Sequence, residues 1–159
     1  MNVKEAYNHW SQQYDTNENK TRDLEAISLQ KTVAEFSFNS ALELGCGTGK
    51  NTEWLATKIQ QLTSVDFSEE MLAKAKNKIR SQRVTFHQAD LTEEWTFATQ
   101  NYDLVTFSLV LEHIEDLELI FKKVAQVLTD GGYLYISELH PFKQYSGSKA
   151  RYETAEGVQ

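Results

Sequence analysis

Between Ala41 and Leu139, short apolar-rich runs alternate with longer stretches whose apolar residues recur at helical spacing. The runs are ALEL (41–44), LTSVD (62–66), VTFHQAD (84–90), YDLVTFSLVL (102–111) and YLYISEL (133–139). Between them lie the amphipathic segments Asn51–Ile59, Glu69–Ile79 and Leu117–Leu128, the last followed by the turn Asp130-Gly131-Gly132. Period and length together predict five strands and at least three crossover helices. Strands and helices that alternate in this way are βαβ units feeding one sheet. The predicted fold class is therefore α/β, a doubly wound, mostly parallel sheet with helices on both faces and ligands collected at the carboxyl ends of the strands. Upstream, residues 3–15 and 23–36 are polar, with Leu24, Ile27, Val33 and Phe36 near helical spacing, which predicts two helices lying over the sheet.

Composition narrows the setting. The chain has 159 residues, 40% hydrophobic and 25% charged, the balance of one globular domain. With no repeat, low-complexity run or linker, it is expected to form a single domain over 1–159. Its parts are an N-terminal helical cover (1–38), a core sheet (40–140) and a tail (141–159). A chain of this length buries roughly 70% of its unfolded surface and needs no covalent staple. Cys46 stands alone, and four His residues without a second Cys make no zinc framework, so neither a disulfide nor a metal site is expected. No run approaches the length of a membrane span, and MNVKEAYNHW lacks the regions of a signal peptide, so a cytoplasmic location without membrane contact is expected. A net charge of −7 disfavours nucleic acid as a partner, and Lys74, Lys76, Lys78, Arg80 and Arg83 have the spacing of a solvated helix face.

The sharpest chemical feature is Glu43-Leu44-Gly45-Cys46-Gly47-Thr48-Gly49, which follows the first strand and opens a helix near Lys50. Gly45 and Gly47 permit a tight turn and let backbone N–H groups approach a ligand, while the helix start adds unpaired donors. Asp66 ends the second predicted strand, 21 residues after Gly45, and Asp90 ends the third. At that spacing a carboxylate can accept from both ribose hydroxyls of a nucleoside. Either Asp is also a natural turn or helix N-cap residue. The dinucleotide fingerprint G-x-G-x-x-G is broken by Lys50 at its last position, and Glu43 would meet a pyrophosphate badly. No Gly-Lys-Ser/Thr follows at P-loop distance.

In order and type these segments resemble the class I S-adenosylmethionine-dependent methyltransferases over roughly residues 40 to 140. ALELGCGTGKNT is similar to the family's first motif; VDFSEEML, HQADL, YDLVTFSLVLEHI and LTDGGYLYISE are similar to its later strand segments. The resemblance implies S-adenosylmethionine as cofactor and a Rossmann-like sheet. It places Gly45, Cys46 and Gly47 under the methionine and ribose, with Glu43 organising the amino-acid end. Asp66 would hold the ribose hydroxyls, Phe67 and Met71 would line the adenine, and Asp90 would accept from the adenine amino group beside the Leu91 N–H. Backbone groups of Phe107 and Ser108 would approach the methionine ammonium. AYNHWSQQYD is similar to a cofactor-covering helix, which makes Trp10 and Tyr14 lid candidates.

The implied activity is methyl transfer to a small-molecule acceptor, and the alternative is a non-catalytic S-adenosylmethionine-binding module or partner subunit. Positioning alone can supply roughly 7 to 11 kcal/mol of barrier lowering, so no catalytic side chain is demanded. Glu112, His113, Glu138 and His140 are the candidates should the acceptor need a base. The family's sheet usually has two further strands, which the polar stretch after Pro141 does not supply. A sheet lacking its last two strands, in a truncated chain, is the expectation. An exposed sheet edge would then favour a homodimer.

Overall fold

The computed structural model describes residues 19–142 and two short strand segments, Glu153–Thr154 and Gly157–Val158. The predicted helix over 3–15 and the lid candidates Trp10 and Tyr14 lie outside the described residues. The first described helix, α1 (Lys20–Val33), starts three residues before the predicted 23–36, because Asn19 caps it by accepting from the Arg22 N–H at 3.1 Å. Its buried face is Glu25, Ala26, Leu29 and Val33, so of the expected positions Val33 faces inward, whereas Leu24 and Ile27 point outward and Phe36, past the end of the helix, packs on the Tyr133 ring. The inward stripe thus follows steps of three and four from Ala26, one position round the helix from the one expected.

The other elements keep the predicted order: β1 (Ser40–Leu44), α2 (Lys50–Lys58), β2 (Gln61–Asp66), α3 (Glu69–Lys78), β3 (Val84–Gln88), β4 (Tyr102–Ser108), α4 (Leu117–Val127) and β5 (Leu128–Ser137). The five strands form one sheet in the order β3-β2-β1-β4-β5, every neighbouring pair parallel. The order reverses at β1, so the crevice between the ends of β1 and β4 is the topological switch point where such sheets bind ligands. β3 stops at Gln88, leaving Asp90 two residues beyond the strand it was expected to end. β5 begins earlier than predicted. The Asp130-Gly131-Gly132 turn is a bulge inside it, where the register with β4 shifts between Tyr102 and Leu104. β6 (Glu153–Thr154) and β7 (Gly157–Val158) pair antiparallel with each other and form a separate ladder.

Alternation along the central strands divides the core. Leu42, Leu44, Val105 and Phe107 face one side, packing with Leu91, Trp95, Phe97, Leu111, Ile120 and Val124. Ala41, Leu62 and Leu104 face the other, against Leu29 and Val33 of α1 and Leu55, Ala56 and Ile59. Both faces are covered, as a parallel sheet requires. At the entry to β1, the Asp103 carboxylate accepts from the Asn39 and Ser40 N–H groups at 2.9 and 3.1 Å. The crossover from β3 to β4, residues 89–101, contains no helix. Its turns pack Leu91, Trp95 and Phe97 into the core in a helix's place.

Candidate functional site

Glycine is required twice in the loop after β1. Gly45 sits at φ +80°, and a Cβ there would lie 2.2 Å from Val110 Cγ2. Gly49, the N-cap of α2, sits at φ +82°, where a Cβ would meet Ile79 Cδ1 at 2.6 Å and Ala75 Cβ at 3.1 Å. Gly49 therefore lets the start of α2 approach the end of α3 closely, which differs from the helix-to-strand packing that the dinucleotide fingerprint assigns to its last glycine. The loop is tied to β2 by the Gly45 and Cys46 N–H groups, which both donate to the Val65 carbonyl at 2.8 and 3.0 Å. The Gly47 N–H donates to Asp66 Oδ2 at 2.8 Å.

Two adjoining cavities open over this loop and share Gly45, Gly47, Ser108 and Leu109. The larger, about 220 Å³, runs along Asp66, Phe67, Ala89–Thr92, Val110, His113 and Ile114. The smaller, about 60 Å³, is walled by Arg22, Glu25, Glu43, Cys46, Lys50 and Asn51. Together they bring Glu43, Gly45, Cys46, Gly47, Asp66, Phe67, Asp90, Leu91 and Ser108 to one crevice. Met71 and Phe107 are not in it. Both are fully buried, Met71 on the inner face of α3 and Phe107 within the sheet core, so neither side chain has surface to offer a ligand. Met71, for which the resemblance implies an adenine-lining position, lies behind the cavity wall on α3.

The carboxylates of the crevice differ in environment. Glu43 is 5% exposed, and its Oε2 accepts from Thr52 Oγ1 at 2.6 Å and Ser64 Oγ at 2.7 Å. Burial pushes its carboxyl up to about 7, against the pull of those two hydroxyls. Asp66 is also raised by burial, although the Ser68 and Gly47 amides favour its charge. The buried Cys46 thiol is raised well above its ordinary value by desolvation and by Glu43, so the loop carries no thiolate nucleophile. Asp90 is exposed and is lowered by the Thr92 hydroxyl and amide, both of which donate to its Oδ1.

Several residues of the site carried no sequence signal. Arg22, Glu25 and Asn51 reach the smaller cavity because α1 crosses over the start of α2, held by the Asp23–Lys50 ion pair and by Asn51 Nδ2 donating to Glu25 Oε2 at 2.9 Å. Lys123 of α4 donates to the carbonyls of Leu91, Thr92 and Glu93 at 3.1, 2.8 and 2.6 Å and lies over the Trp95 ring. It thereby fixes the wall that carries Asp90. Leu109 adopts φ +59°, a left-handed conformation that costs a non-glycine residue roughly 1 to 3 kcal/mol and clusters at functional sites.

Of the four candidate bases, His113 alone lines the larger cavity. Its Nε2 lies 3.6 Å from Glu112 Oε1 on the 3-10 turn Leu111–His113. His140 Nδ1 accepts from the Phe142 N–H at 3.2 Å, and Glu138 Oε1 accepts from the Val110 and Leu111 N–H groups, both at 2.9 Å. His140 is thus engaged in a local turn, and Glu138 in a contact between the segments that follow β4 and β5. Among the described residues no cluster of His, Cys, Asp or Glu could hold a metal, and no helix is long and apolar enough to cross a membrane.

A parallel sheet with a glycine loop at its switch point, an acidic residue ending β2 and another just beyond β3 defines a Rossmann-like, nucleoside-binding class of protein. Residues 42–136 match the model of the methyltransferase domain, so the chain belongs to that family, whose methyl donor is S-adenosylmethionine. It is 34% identical over 106 residues to ubiquinone biosynthesis O-methyltransferase of Coxiella burnetii, a match covering 65% of this chain and 45% of that protein. Among solved structures, an S-adenosylmethionine-dependent methyltransferase from Clostridium acetobutylicum superposes with a TM-score of 0.70 at 26% identity, over 97% of this chain and 66% of that one. The DhpI–SAH complex gives 0.76 at 25% identity, over 96% and 73%. The chain spans about half the length of the curated relatives it matches.

Proposed function

We propose that the chain binds S-adenosylmethionine in the joined cavities and transfers its methyl group to a small-molecule acceptor. The observation that carries this reading is the split in the crevice's chemistry. The larger cavity combines apolar walls (Phe67, Ala89, Leu91, Val110, Ile114) with Asp66 and Asp90, which suits a nucleoside. In the smaller one, Glu25 Oε1 and Asn51 Oδ1 are buried without a hydrogen-bond partner among the described residues. Unsatisfied buried acceptors are costly and suit an ammonium, while Arg22 and Lys50 suit a carboxylate. That is the polarity of an amino-acid end.

In this reading Asp66 accepts from the ribose hydroxyls through the lone pairs left after Gly47 and Ser68. Phe67 and Leu91 enclose the base, Asp90 Oδ2 accepts from its amino group, and Gly45 gives the ligand direct access to the backbone. The Ser108 and Phe107 backbone borders the ammonium. When bound, the donor supplies an electrophilic methyl on a sulfonium. The chain's own task is to hold the acceptor in line with it and exclude water, with His113 placed to take a proton where the acceptor must lose one.

The match to an O-methyltransferase supports an oxygen acceptor. The net charge of −7, with Lys76 and Lys78 on the solvent face of α3 away from the cavities, supports a reading without nucleic acid. A cytoplasmic location fits the lone buried thiol. On the β5 edge Tyr133, Leu134 and Ile136 are 48%, 38% and 42% exposed, which supports edge pairing between two copies. A monomer at all concentrations in sedimentation would refute that pairing.

Titration calorimetry with S-adenosylmethionine and S-adenosylhomocysteine, with NADH as control, tests the cofactor reading. Saturable binding of the first two and none of NADH is expected. Folded protein that binds neither overturns it.

A further inference from the structure

The cavity wall after β4 is built around a strained turn. Leu109 lies in the left-handed region, and its N–H donates to the Ser137 carbonyl at 2.8 Å. The next two amides, Val110 and Leu111, converge on one point, as successive N–H groups do beside a left-handed residue; such a concavity binds anions. It is filled from within the chain, because Glu138 Oε1 accepts from both at 2.9 Å. Glu138 is delivered there by β5, whose Ser137 pairs with Ser108. On the other side, Val110 Cγ2 occupies the space a Cβ on Gly45 would need. His113 and Ile114 continue the same wall, the His113 N–H donating to the Val110 carbonyl at 3.2 Å.

We propose that Glu138 is a positioning residue, an internal anion that holds the Leu109–Leu111 turn so that Val110 seats against Gly45 and the wall of the donor cavity keeps its shape. The proposal rests on the reading that this cavity holds the methyl donor. Glu138 lines neither of the two cavities. It acts through the two amides that Oε1 accepts, while its Oε2 is buried without a hydrogen-bond partner among the described residues.

The test uses the full chain with Glu138→Ala, Glu138→Gln, Leu109→Gly and the Leu109→Gly/Glu138→Ala double variant. Readouts are S-adenosylhomocysteine affinity by calorimetry, amide hydrogen exchange at Val110 and Leu111, and urea midpoints. Glu138→Ala is expected to weaken binding about tenfold or more and to speed exchange at both amides, since two bonds to a charged acceptor are lost. Glu138→Gln keeps an acceptor oxygen and should stay within about threefold of the parent. Leu109→Gly removes the left-handed penalty, so the double variant should recover most of the affinity lost by Glu138→Ala.

A purely structural role would lower the urea midpoint without this rescue pattern in affinity. The proposal is overturned if Glu138→Ala binds and exchanges like the parent, or if Leu109→Gly gives no recovery. Should Glu138→Ala not fold, Glu138→Asp withdraws the acceptor by one methylene and is judged by the same readouts. Failure of the parent chain to bind S-adenosylhomocysteine would sink the donor-site reading, whereas unchanged exchange in the variants would sink the role of Glu138.

Discussion

Asp66 and Asp90 stand at the ends of successive strands of one sheet, the first closing β2 and the second two residues past β3, and read alike in the sequence, yet the fold gives them opposite surroundings. Asp66 is 7% exposed, with each oxygen accepting a backbone amide, Gly47 at 2.8 Å and Ser68 at 2.9 Å. Asp90 is exposed, and a single oxygen receives both the Thr92 amide and hydroxyl. The difference arises in the segment that leaves each strand. After β2 the chain turns into α3, which closes over Asp66; after β3 there is no helix, and the Lys123 ammonium holds the turn instead. One carboxylate is thus part of the scaffold that shapes the glycine loop, and the other is a surface group on a wall braced from behind.

Asp66→Ala is expected to break this contrast most. It orphans two buried amides, at about 2 to 5 kcal/mol in urea unfolding, and should abolish detectable S-adenosylhomocysteine binding. Asn offers one acceptor oxygen for the two amides, so Asp66→Asn should restore about half of that stability.

Buried and exposed carboxylates should also pull stability in opposite directions with pH. The folded-state value of Glu43 is raised, from 4.5 to about 7, so its contribution is full below 4.5 and is lost as pH rises through about 7, by about 3 kcal/mol. Asp66, raised too, acts with the same sign. Asp90 is lowered, so its small contribution is present above its ordinary value and lost on acidification. Urea midpoints across pH 4 to 8 should therefore decline for the parent chain and flatten for Glu43→Gln. A parent curve that rises over that window would refute the assignment.

Lys123→Met is the next smaller effect. Removing the cation from three carbonyls should cost about 1 to 2 kcal/mol and loosen amide exchange at Thr92 and Glu93. The smallest is Asp90→Asn, expected within about 0.5 kcal/mol in stability and a few-fold weaker in S-adenosylhomocysteine affinity. If Asp90→Asn destabilised the chain as much as Asp66→Ala, the contrast between the two would collapse.

How much of the fold and site could be read beforehand depended on whether the determining interaction was local. Strands β1, β2 and β4 are buried on both sides and announce themselves as apolar runs; the glycine loop does so by residue type, because Gly45 and Gly49 occupy conformations other residues avoid. Glu138 was legible as a polar residue after a strand and so as a candidate base. Its engagement with Val110 and Leu111, 28 and 27 residues away, depends on the pairing of β4 with β5 and leaves no trace in the local sequence. The same holds for Lys123, which reads as one more solvated lysine on an amphipathic helix. Leu24 and Ile27 misled in the other direction, since apolar spacing near 3.6 cannot say which of two adjacent stripes faces inward.

The position of β1 at the centre of the sheet imposes an order in time. Its partner on one side is β2, reached after a single helix, but on the other side Ala41 pairs with Leu104, 63 residues further along the chain. At ribosomal rates of about 5 to 20 residues per second, that partner emerges roughly 3 to 13 s later. In that interval the nascent chain holds β1 with one flank open, and completion of the crevice awaits β5 and Glu138. The half of the molecule that carries the glycine loop is therefore made before the strand that completes its sheet, and its flank stays open until β4 arrives.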